Sequence, residues 1–305
     1  MTDQPQTPSH RSVTRRGLMS SAAALATGAT LAGYSSSAMA DEKPLKLKGN
    51  INHSMVNWCY NKHFKSVDDM CLAAKRLGIK SIELISPKSF PALKKHGLVC
   101  AITGSHGFKQ GMNDKDYHAT AIKRIKESID ANAEYGFKSV ISFTGFGNGL
   151  SLKQGFKNCV EGYKKVVGYA EKKGVTICLE HLNTRADDHP MKGHPGYQGD
   201  HIDYCFDIAK AVGSPNMKVL FDIYHVQIMD GDMIRRIRKH VSLIGHIHTA
   251  GNPGRGELDH KQEINYPPIM KALVEAKYKG FVGHEFIPTR DAYQGLKEAV
   301  LLCDV

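Results

Sequence analysis

Short runs rich in β-branched residues alternate with longer amphipathic stretches along most of this chain, and this alternation limits the possible folds more than any other feature. The runs have the length of strands and are almost continuously apolar, which is typical of parallel strands buried on both faces. Eight runs are present, at residues 48–56, 80–85, 98–104, 138–144, 175–182, 218–224, 243–249 and 280–287. We therefore predict an α/β fold in which strands and helices alternate.

The stretches between the runs have the apolar periodicity of helices that bury one face. Examples lie at residues 67–77, 117–135, 155–173 and 203–212. Glycine often precedes the next strand, at a position where the end of a helix favours a left-handed backbone. These glycines are Gly78, Gly136, Gly174 and Gly280.

Eight strand and helix units within roughly 255 residues fit a (β/α)₈ TIM barrel. The alternative is a doubly wound open sheet, which predicts a glycine-rich phosphate loop after an early strand. No such loop follows the early runs, and no linker or low-complexity segment divides residues 41–305. We predict one barrel domain over those residues.

Residues 1–40 have the pattern of an export signal rather than of a folded segment. Arg15 and Arg16 are followed by a short Ala, Leu and Gly stretch and by Ala38-Met39-Ala40, a small-residue cleavage site. The paired arginine favours the twin-arginine export machinery. The apolar stretch is short for a membrane span. We therefore expect a periplasmic or otherwise exported protein without a stable membrane anchor.

Charge and cysteine usage exclude several classes of protein. The formal net charge is +11, but the lysines are scattered and form no stripe interleaved with aromatic residues. This pattern indicates a solvated basic surface, and we predict no nucleic-acid partner. The seven cysteines include no C-x-x-C pair and no zinc-finger spacing, which favours buried thiols over a disulfide framework.

Four side chains able to bind a metal close four successive strand-like runs in the second half of the chain. They are Glu180, Asp222, His248 and Glu285. Active groups of a barrel project from the carboxyl ends of its strands, so these four side chains are expected to meet at one rim. Carboxylate and imidazole donors suit one divalent ion, with Mn²⁺ or Mg²⁺ favoured and Zn²⁺ or Co²⁺ also compatible.

Several motifs around these residues resemble those of the xylose isomerase-like barrels, most closely the hydroxypyruvate isomerase group. They are LEHLNTR, FDIYHVQ, GHIHTAGNPGRGELDHKQEINYPPIM and GHEFIP. The resemblance implies that Glu180, Asp222, His248 and Glu285 bind one divalent metal ion. Hydroxypyruvate isomerases commonly have glutamine where His248 stands, and histidine there is typical of the similar ketose 3-epimerases.

The expected chemistry is the transfer of a proton between neighbouring carbons of a small hydroxycarbonyl acid or sugar. Such an isomerisation needs a base, an acid and a cation that stabilises the enediolate charge. Glu180 and Glu285 are predicted as the paired acid and base. The resemblance suggests conversion of hydroxypyruvate to tartronate semialdehyde.

Other polar residues near the strand ends are predicted to contact the substrate. Enzymes similar to this chain use the histidine that matches His225 to bind a substrate oxygen, and the Arg255 guanidinium can bind a carboxylate through two hydrogen bonds. Weaker candidates are Asn183, Glu257 and His106. Trp58 and Phe108 are expected in the apolar wall of the pocket or in the core. His246 is expected to face away from His248 and to be structural.

Rival functions use the same barrel. A ketose or 3-ketosugar 3-epimerase, or a dehydratase, would need the same proton chemistry. A periplasmic sugar-binding barrel without activity is a non-enzymatic alternative. An apurinic endonuclease would need a three-zinc site with additional histidines, but the fourth strand ends in Phe143-Thr144-Gly145. A homo-oligomer is an open alternative, since related barrels often pair.

Overall fold

Seven parallel strands form one curled sheet in the computed structural model, which describes residues 43–305. The order of the strands in the sheet is β2-β1-β7-β6-β5-β4-β3. Their bounds are β1 Asn52–Val56, β2 Ser81–Glu83, β3 Ser139–Phe143, β4 Thr176–Glu180, β5 Met217–Asp222, β6 Ile244–Thr249 and β7 Phe281–His284. The predicted export signal lies outside the described residues.

Helices surround this sheet and connect its strands. Within residues 43–305 they are α1 Asn57–Tyr60, α2 Val67–Arg76, α3 Phe90–Lys95, α4 Lys115–Tyr135, α5 Leu152–Lys164, α6 Val167–Lys173, α7 Ile202–Val212, α8 Ile223–Met229, α9 Met233–His240, α10 Tyr266–Glu275 and α11 Ala292–Cys303. In this part of the chain, no helix has both the length and the apolar character that a membrane span requires.

The third predicted strand, residues 98–104, closes the barrel without forming a regular strand. Val99 forms a parallel bridge with Ser81 on β2, and Thr103 forms one with β3. Between the two bridges, the Ala101 N–H donates to the Ser81 hydroxyl at 2.8 Å instead of to a backbone carbonyl. The TIM barrel prediction is thus confirmed, with one of its eight strands interrupted because a side chain replaces a ladder partner.

Two local predictions were wrong. The stretch predicted as one helix at residues 155–173 is the pair α5 and α6, because the Val166 N–H bonds to the Tyr163 carbonyl in a tighter turn. After α10, the left-handed residue is Lys277, with φ 59°, and not Gly280. Gly280 is instead a point of close approach, since a Cβ there would lie 2.3 Å from the Tyr278 hydroxyl oxygen.

The core has two layers, one between strands and helices and one inside the barrel. The outer layer is the larger and includes Met55, Val140 and Val219. The inner layer contains Ile102, Ile141, Phe143, Cys178, Leu182, Tyr197 and Leu220. All seven cysteines are buried and free, as the absence of a disulfide pattern predicted.

The hydroxyl of Ser81 is expected to be needed for closing the barrel. Ser81→Ala leaves the buried Ala101 N–H without an acceptor, which costs about 1–3 kcal/mol of the free energy of unfolding. Ser54→Ala is the matched control, because the buried Ser54 hydroxyl only donates, to the Ser81 carbonyl at 3.3 Å. Urea denaturation should show the larger loss for Ser81→Ala; equal losses would contradict this role.

Candidate metal centre

The ends of four neighbouring strands place Glu180, Asp222, His248 and Glu285 together, and we call these four residues the quartet. Glu180 and Asp222 end β4 and β5, His248 lies in β6, and Glu285 directly follows β7. Asp222 and His248 are register partners across β5 and β6. One possible ligand atom from each residue lies within 4.8 Å of those of the other three. The strand-end rule thus places these groups as the sequence predicted.

The quartet has the chemistry of a site for one divalent cation. All four side chains are buried. Within residues 43–305, Glu180 Oε1 and His248 Nδ1 have no hydrogen-bond partner, although Nδ1 lies 2.8 Å from Glu285 Oε2. Buried polar atoms without partners are rare, because their lost hydration is not replaced. Three carboxylates and one imidazole fit a hard or borderline ion, which would replace that hydration.

The two glutamates of the quartet have opposite pKa shifts. Burial raises the pKa of Glu180 to about 7, despite the neighbouring His248. Burial alone would raise the pKa of Glu285 as well, but His248 and the Arg255 guanidinium outweigh it and lower this pKa to about 2. Near neutral pH and without a bound ion, one carboxyl can therefore hold a proton while the other is ionised, an arrangement typical of acid and base pairs.

Arg255 is the buried cation beside the quartet. Its Nη2 lies 3.2 Å from Asp222 Oδ2 and 2.5 Å from Glu285 Oε2. The guanidinium carbon also lies 5.6 Å from the centroid of the Trp58 ring and 5.4 Å from that of Tyr224, so aromatic faces stabilise its charge. Its backbone has φ 55°, a left-handed conformation that is uncommon for a residue with a side chain and often marks functional sites.

His225 presents a fixed tautomer to the site. Its Nδ1 accepts from the Asn183 backbone N–H at 3.2 Å and from the Asn183 side-chain amide at 2.7 Å. Because Nδ1 accepts, the proton of the neutral ring is on Nε2. Burial lowers the pKa of His225 well below its usual range, which keeps the ring neutral. Nε2 lies 3.5 Å from Asp222 Oδ2 and has no hydrogen-bond partner among the described residues.

Asn183 and Glu257, two of the predicted substrate contacts, bind loop residues in the structure. The Asn183 amide also donates to the Lys192 carbonyl at 2.7 Å. The Glu257 carboxylate accepts from the Thr289 N–H at 2.8 Å and from the Thr289 hydroxyl at 2.7 Å. Both side chains thus stabilise the loops that surround the quartet, and a substrate contact at either stays a prediction.

A cavity of about 310 Å³ lies at the mouth of the barrel beside the quartet. Its lining includes Glu180, Glu285 and Arg255, and also Trp58 and Phe108, the two aromatic residues for which the pocket wall and the core were alternatives. A larger cavity, of about 580 Å³, lies at the other mouth, and no member of the quartet lines it. The smaller cavity is therefore the one that can bring a substrate to the quartet.

Three further residues line this cavity, of which the sequence analysis named only His106 as a candidate. His106 lines it, with its Nε2 2.8 Å from the Ser142 hydroxyl and its Nδ1 3.1 Å from the Gly107 carbonyl, and its contact with a substrate stays a prediction. His194 and Met191 also line it, and both come from the irregular loop after β4. That loop contains no periodic pattern, so the sequence did not single them out.

Three contacts near the quartet were missed or misjudged from the sequence. Trp58 Nε1 donates to Glu285 Oε1 at 2.9 Å. Glu83, the last residue of β2, lies with its Oε1 2.7 Å from His248 Nε2 and 2.9 Å from His246 Nε2. The expectation that His246 faces away from His248 was wrong, because residues two apart on a strand share a face. A carboxylate at the end of the second apolar run was the available signal for Glu83.

The family model described as "Xylose isomerase-like TIM barrel" matches residues 71–301. The 2-oxo-tetronate isomerase of Cupriavidus necator is 38% identical over 127 residues, which cover 42% of this chain and 46% of that protein. The hydroxypyruvate isomerase of Escherichia coli is 29% identical over 149 residues, which cover 49% of this chain and 55% of that protein. The chain thus matches about half the length of these two relatives, and their names support an isomerase.

Solved structures agree with the fold. An AP endonuclease, family 2, from Brucella melitensis has a TM-score of 0.65 at 24% identity and covers 81% of this chain and 97% of its own. The apo form of 3-keto-D-glucoside 4-epimerase from E. coli has a TM-score of 0.67 at 18% identity and covers 83% of this chain and 97% of its own. At these identities, the likeness concerns the barrel alone.

We expect one divalent ion per chain, bound by the quartet. Asp222→Asn removes a charged ligand and should lower the bound metal to well below one equivalent after dialysis against a weak chelator, measured by elemental analysis. Glu257→Gln is the control, since Glu257 is also a buried carboxylate but binds Thr289 instead of the quartet. Loss of metal in both variants, or in neither, would argue against this assignment.

Proposed function

Because the chain belongs to the xylose isomerase-like TIM barrel family, we propose that it is a metal-dependent isomerase of a small hydroxycarbonyl substrate. The leading reaction is the conversion of hydroxypyruvate to tartronate semialdehyde, by analogy with the E. coli relative of that name. The cavity volume of about 310 Å³ is at the small end of ligand sites, which favours a substrate of a few carbons.

One observation carries this proposal: two buried glutamates of the quartet line the same small cavity. Glu180 has a pKa of about 7 and Glu285 a pKa of about 2. Moving a carbonyl between adjacent carbons requires that one carbon lose a proton and its neighbour gain one. Two carboxyl groups at one cavity can meet both requirements, one as the base and the other as the acid, and their opposite pKa shifts in the ion-free site show that their surroundings already differ.

In the proposed reaction, Glu285 acts as the base and Glu180 as the acid. The Glu285 carboxylate takes the proton from C3 of hydroxypyruvate, and the Glu180 carboxyl supplies one to C2. A proton moves from the oxygen on C3 to the oxygen on C2, so the product is an isomer of the substrate. A divalent ion held by the quartet would supply a positive charge that stabilises the enediolate oxygens.

His225 and Arg255 orient the substrate in this proposal. The Nε2–H of His225 has no partner among the described residues and can donate to a substrate oxygen. The Arg255 Nε–H is likewise without a partner in that part of the chain. It can donate to the substrate carboxylate, an acceptor that suits a guanidinium.

We expect the exchange of a substrate proton with solvent to depend on both glutamates. The reaction is run in D₂O with Mn²⁺ or Mg²⁺, then quenched, and the metal is removed before the measurement. NMR should then show deuterium in hydroxypyruvate or in its product. Glu180→Gln and Glu285→Gln should each lower the exchange rate by at least about 100-fold, since each removes a proton-transfer group. Glu127→Gln, on an exposed helix surface, is the matched control.

The position of the deuterium separates the rival functions. Deuterium on the carbon that gains the hydrogen supports the isomerase. Exchange at C3 of a ketose without carbonyl migration supports a 3-epimerase, and loss of water supports a dehydratase. Sugar binding without any exchange supports a binding barrel and would overturn the proposal.

A ketose or 3-ketosugar 3-epimerase is the second candidate, and His248 is the residue that favours it. The similar 3-epimerases commonly have histidine at this position, where hydroxypyruvate isomerases commonly have glutamine. The same panel should therefore include ketoses and 3-ketosugars. Faster exchange with a ketose than with hydroxypyruvate would assign the chain to this candidate.

We also propose that residues 1–40 direct export by the twin-arginine machinery. The support is the Arg15-Arg16 pair followed by a short apolar stretch and by Ala38-Met39-Ala40. This route transports folded proteins, which suits an enzyme that acquires its metal before export.

Export is expected to require the arginine pair. In the full chain, the double variant Arg15→Lys with Arg16→Lys should keep the protein uncleaved in the cytoplasm, as measured by cell fractionation and mass spectrometry. The control variant Arg11→Lys lies outside the pair and should be exported normally. Export of the double variant at the normal rate would refute the route.

A further inference from the structure

Glu83 is a buried carboxylate at the centre of the barrel, behind the quartet. It ends β2 and is fully buried. Its Oε1 accepts from His248 Nε2 at 2.7 Å and from His246 Nε2 at 2.9 Å. A charged group buried this deeply is very costly unless it is paired and hydrogen-bonded, and these two histidines supply that pairing.

A glycine on β7, which β1 separates from β2 in the sheet, leaves room for this carboxylate. Gly283 on β7 faces Glu83, and a Cβ at position 283 would lie only 2.4 Å from Glu83 Oε1 and 2.9 Å from a ring carbon of His248. Any side chain at this position would therefore push the carboxylate away from the histidine. The contact between Glu83 and His248 depends on a glycine two residues before Glu285, a member of the quartet.

We propose that Glu83 is a positioning residue, which holds His248 with its proton on Nε2 and its Nδ1 lone pair directed at the metal centre. This inference rests on the proposed function only in taking His248 as a metal ligand. A hydrogen bond to the second ring nitrogen orients a ligand histidine and raises its basicity. In the quartet, Nδ1 is the nitrogen on the side of Glu285, at 2.8 Å.

His246 has a different part in this arrangement. It shares the same carboxylate oxygen but does not belong to the quartet. The hydrogen bond from His246 is the second one that Glu83 accepts, and it stabilises the buried charge of the carboxylate. Only His248 connects that charge to the metal centre. Loss of His246 should therefore weaken metal binding much less than loss of the Glu83 charge.

The rival interpretation is a second metal ion held by Glu83, His246 and His248. The hydrogen bonding favours direct contacts at Glu83, since its Oε1 and both histidine Nε2 atoms are already paired with one another, whereas His248 Nδ1 and Glu180 Oε1 in the quartet have no partner among the described residues. The contacts here are 2.7 and 2.9 Å. The number of ions per chain separates the two interpretations.

The test compares metal binding in the full chain and in three variants, Glu83→Gln, Glu83→Asp and His246→Gln. Apoprotein is titrated with Zn²⁺ or Mn²⁺ by calorimetry with a competing chelator, and elemental analysis gives the number of ions. Both Glu83 variants should bind metal about 10–100-fold more weakly, the usual effect of losing such a partner. His246→Gln should show a smaller loss, and the wild type should bind one ion.

The tautomer of His248 can be measured in the wild-type protein, so this test does not depend on any variant. In the protein loaded with diamagnetic Zn²⁺, ¹⁵N histidine NMR should show His248 protonated at Nε2 and unprotonated at Nδ1. The opposite tautomer would overturn the proposal even if the Glu83 variants failed to fold. Circular dichroism establishes which variants are folded.

The remaining outcomes also decide. Folded Glu83 variants with wild-type affinity, a wild type without metal, or two ions per chain with one lost in His246→Gln would each overturn the inference. If the variants lose affinity but no candidate substrate is turned over, the positioning role stands and the proposed isomerase fails. If the isomerase is active and the affinities do not change, only the positioning role fails.

Discussion

Mutual repulsion among buried carboxylates is the constraint on which the rest of this structure depends. Glu180, Asp222 and Glu285 are buried and have ligand atoms within 4.8 Å of one another. Like charges at such distances are tolerated only beside positive charge. Without a bound ion, Arg255 and a protonated His248 supply it from within the chain, and the same electrostatic balance separates the pKa values of the two glutamates. The balance of negative and positive charge that suits a metal ion is thus the same balance that distinguishes the candidate acid from the candidate base.

Much of the barrel could be predicted from the sequence because parallel strands buried on both faces produce a strong signal. Seven of the eight apolar runs form regular strands. The run at residues 98–104 does not, since the Ser81 hydroxyl takes the place of a backbone acceptor. The pairing of a particular hydroxyl with a particular N–H depends on tertiary geometry, and it produces no periodic pattern in the sequence. The same holds for the tight turn that separates α5 from α6.

The quartet was predictable because each member ends an apolar run, and a barrel brings such ends together. The predicted site included strand ends from the second half of the chain only, and Glu83, which ends β2, was not among them. The prediction that His246 faces away from His248 was wrong, because side chains two residues apart on a strand lie on the same face. The engagement of Asn183 and Glu257 with loop residues was not predictable, because the loops have no pattern that reveals their path.

Gly283, which has no side chain, links two parts of the chain that are far apart in sequence. Glu83 fits in the barrel only while residue 283 has no Cβ, which would lie 2.4 Å from the carboxylate oxygen. A larger residue at position 283 therefore requires that the side chain of residue 83 move away from the histidines or become shorter. The two positions thus constrain each other, although 200 residues separate them in the sequence.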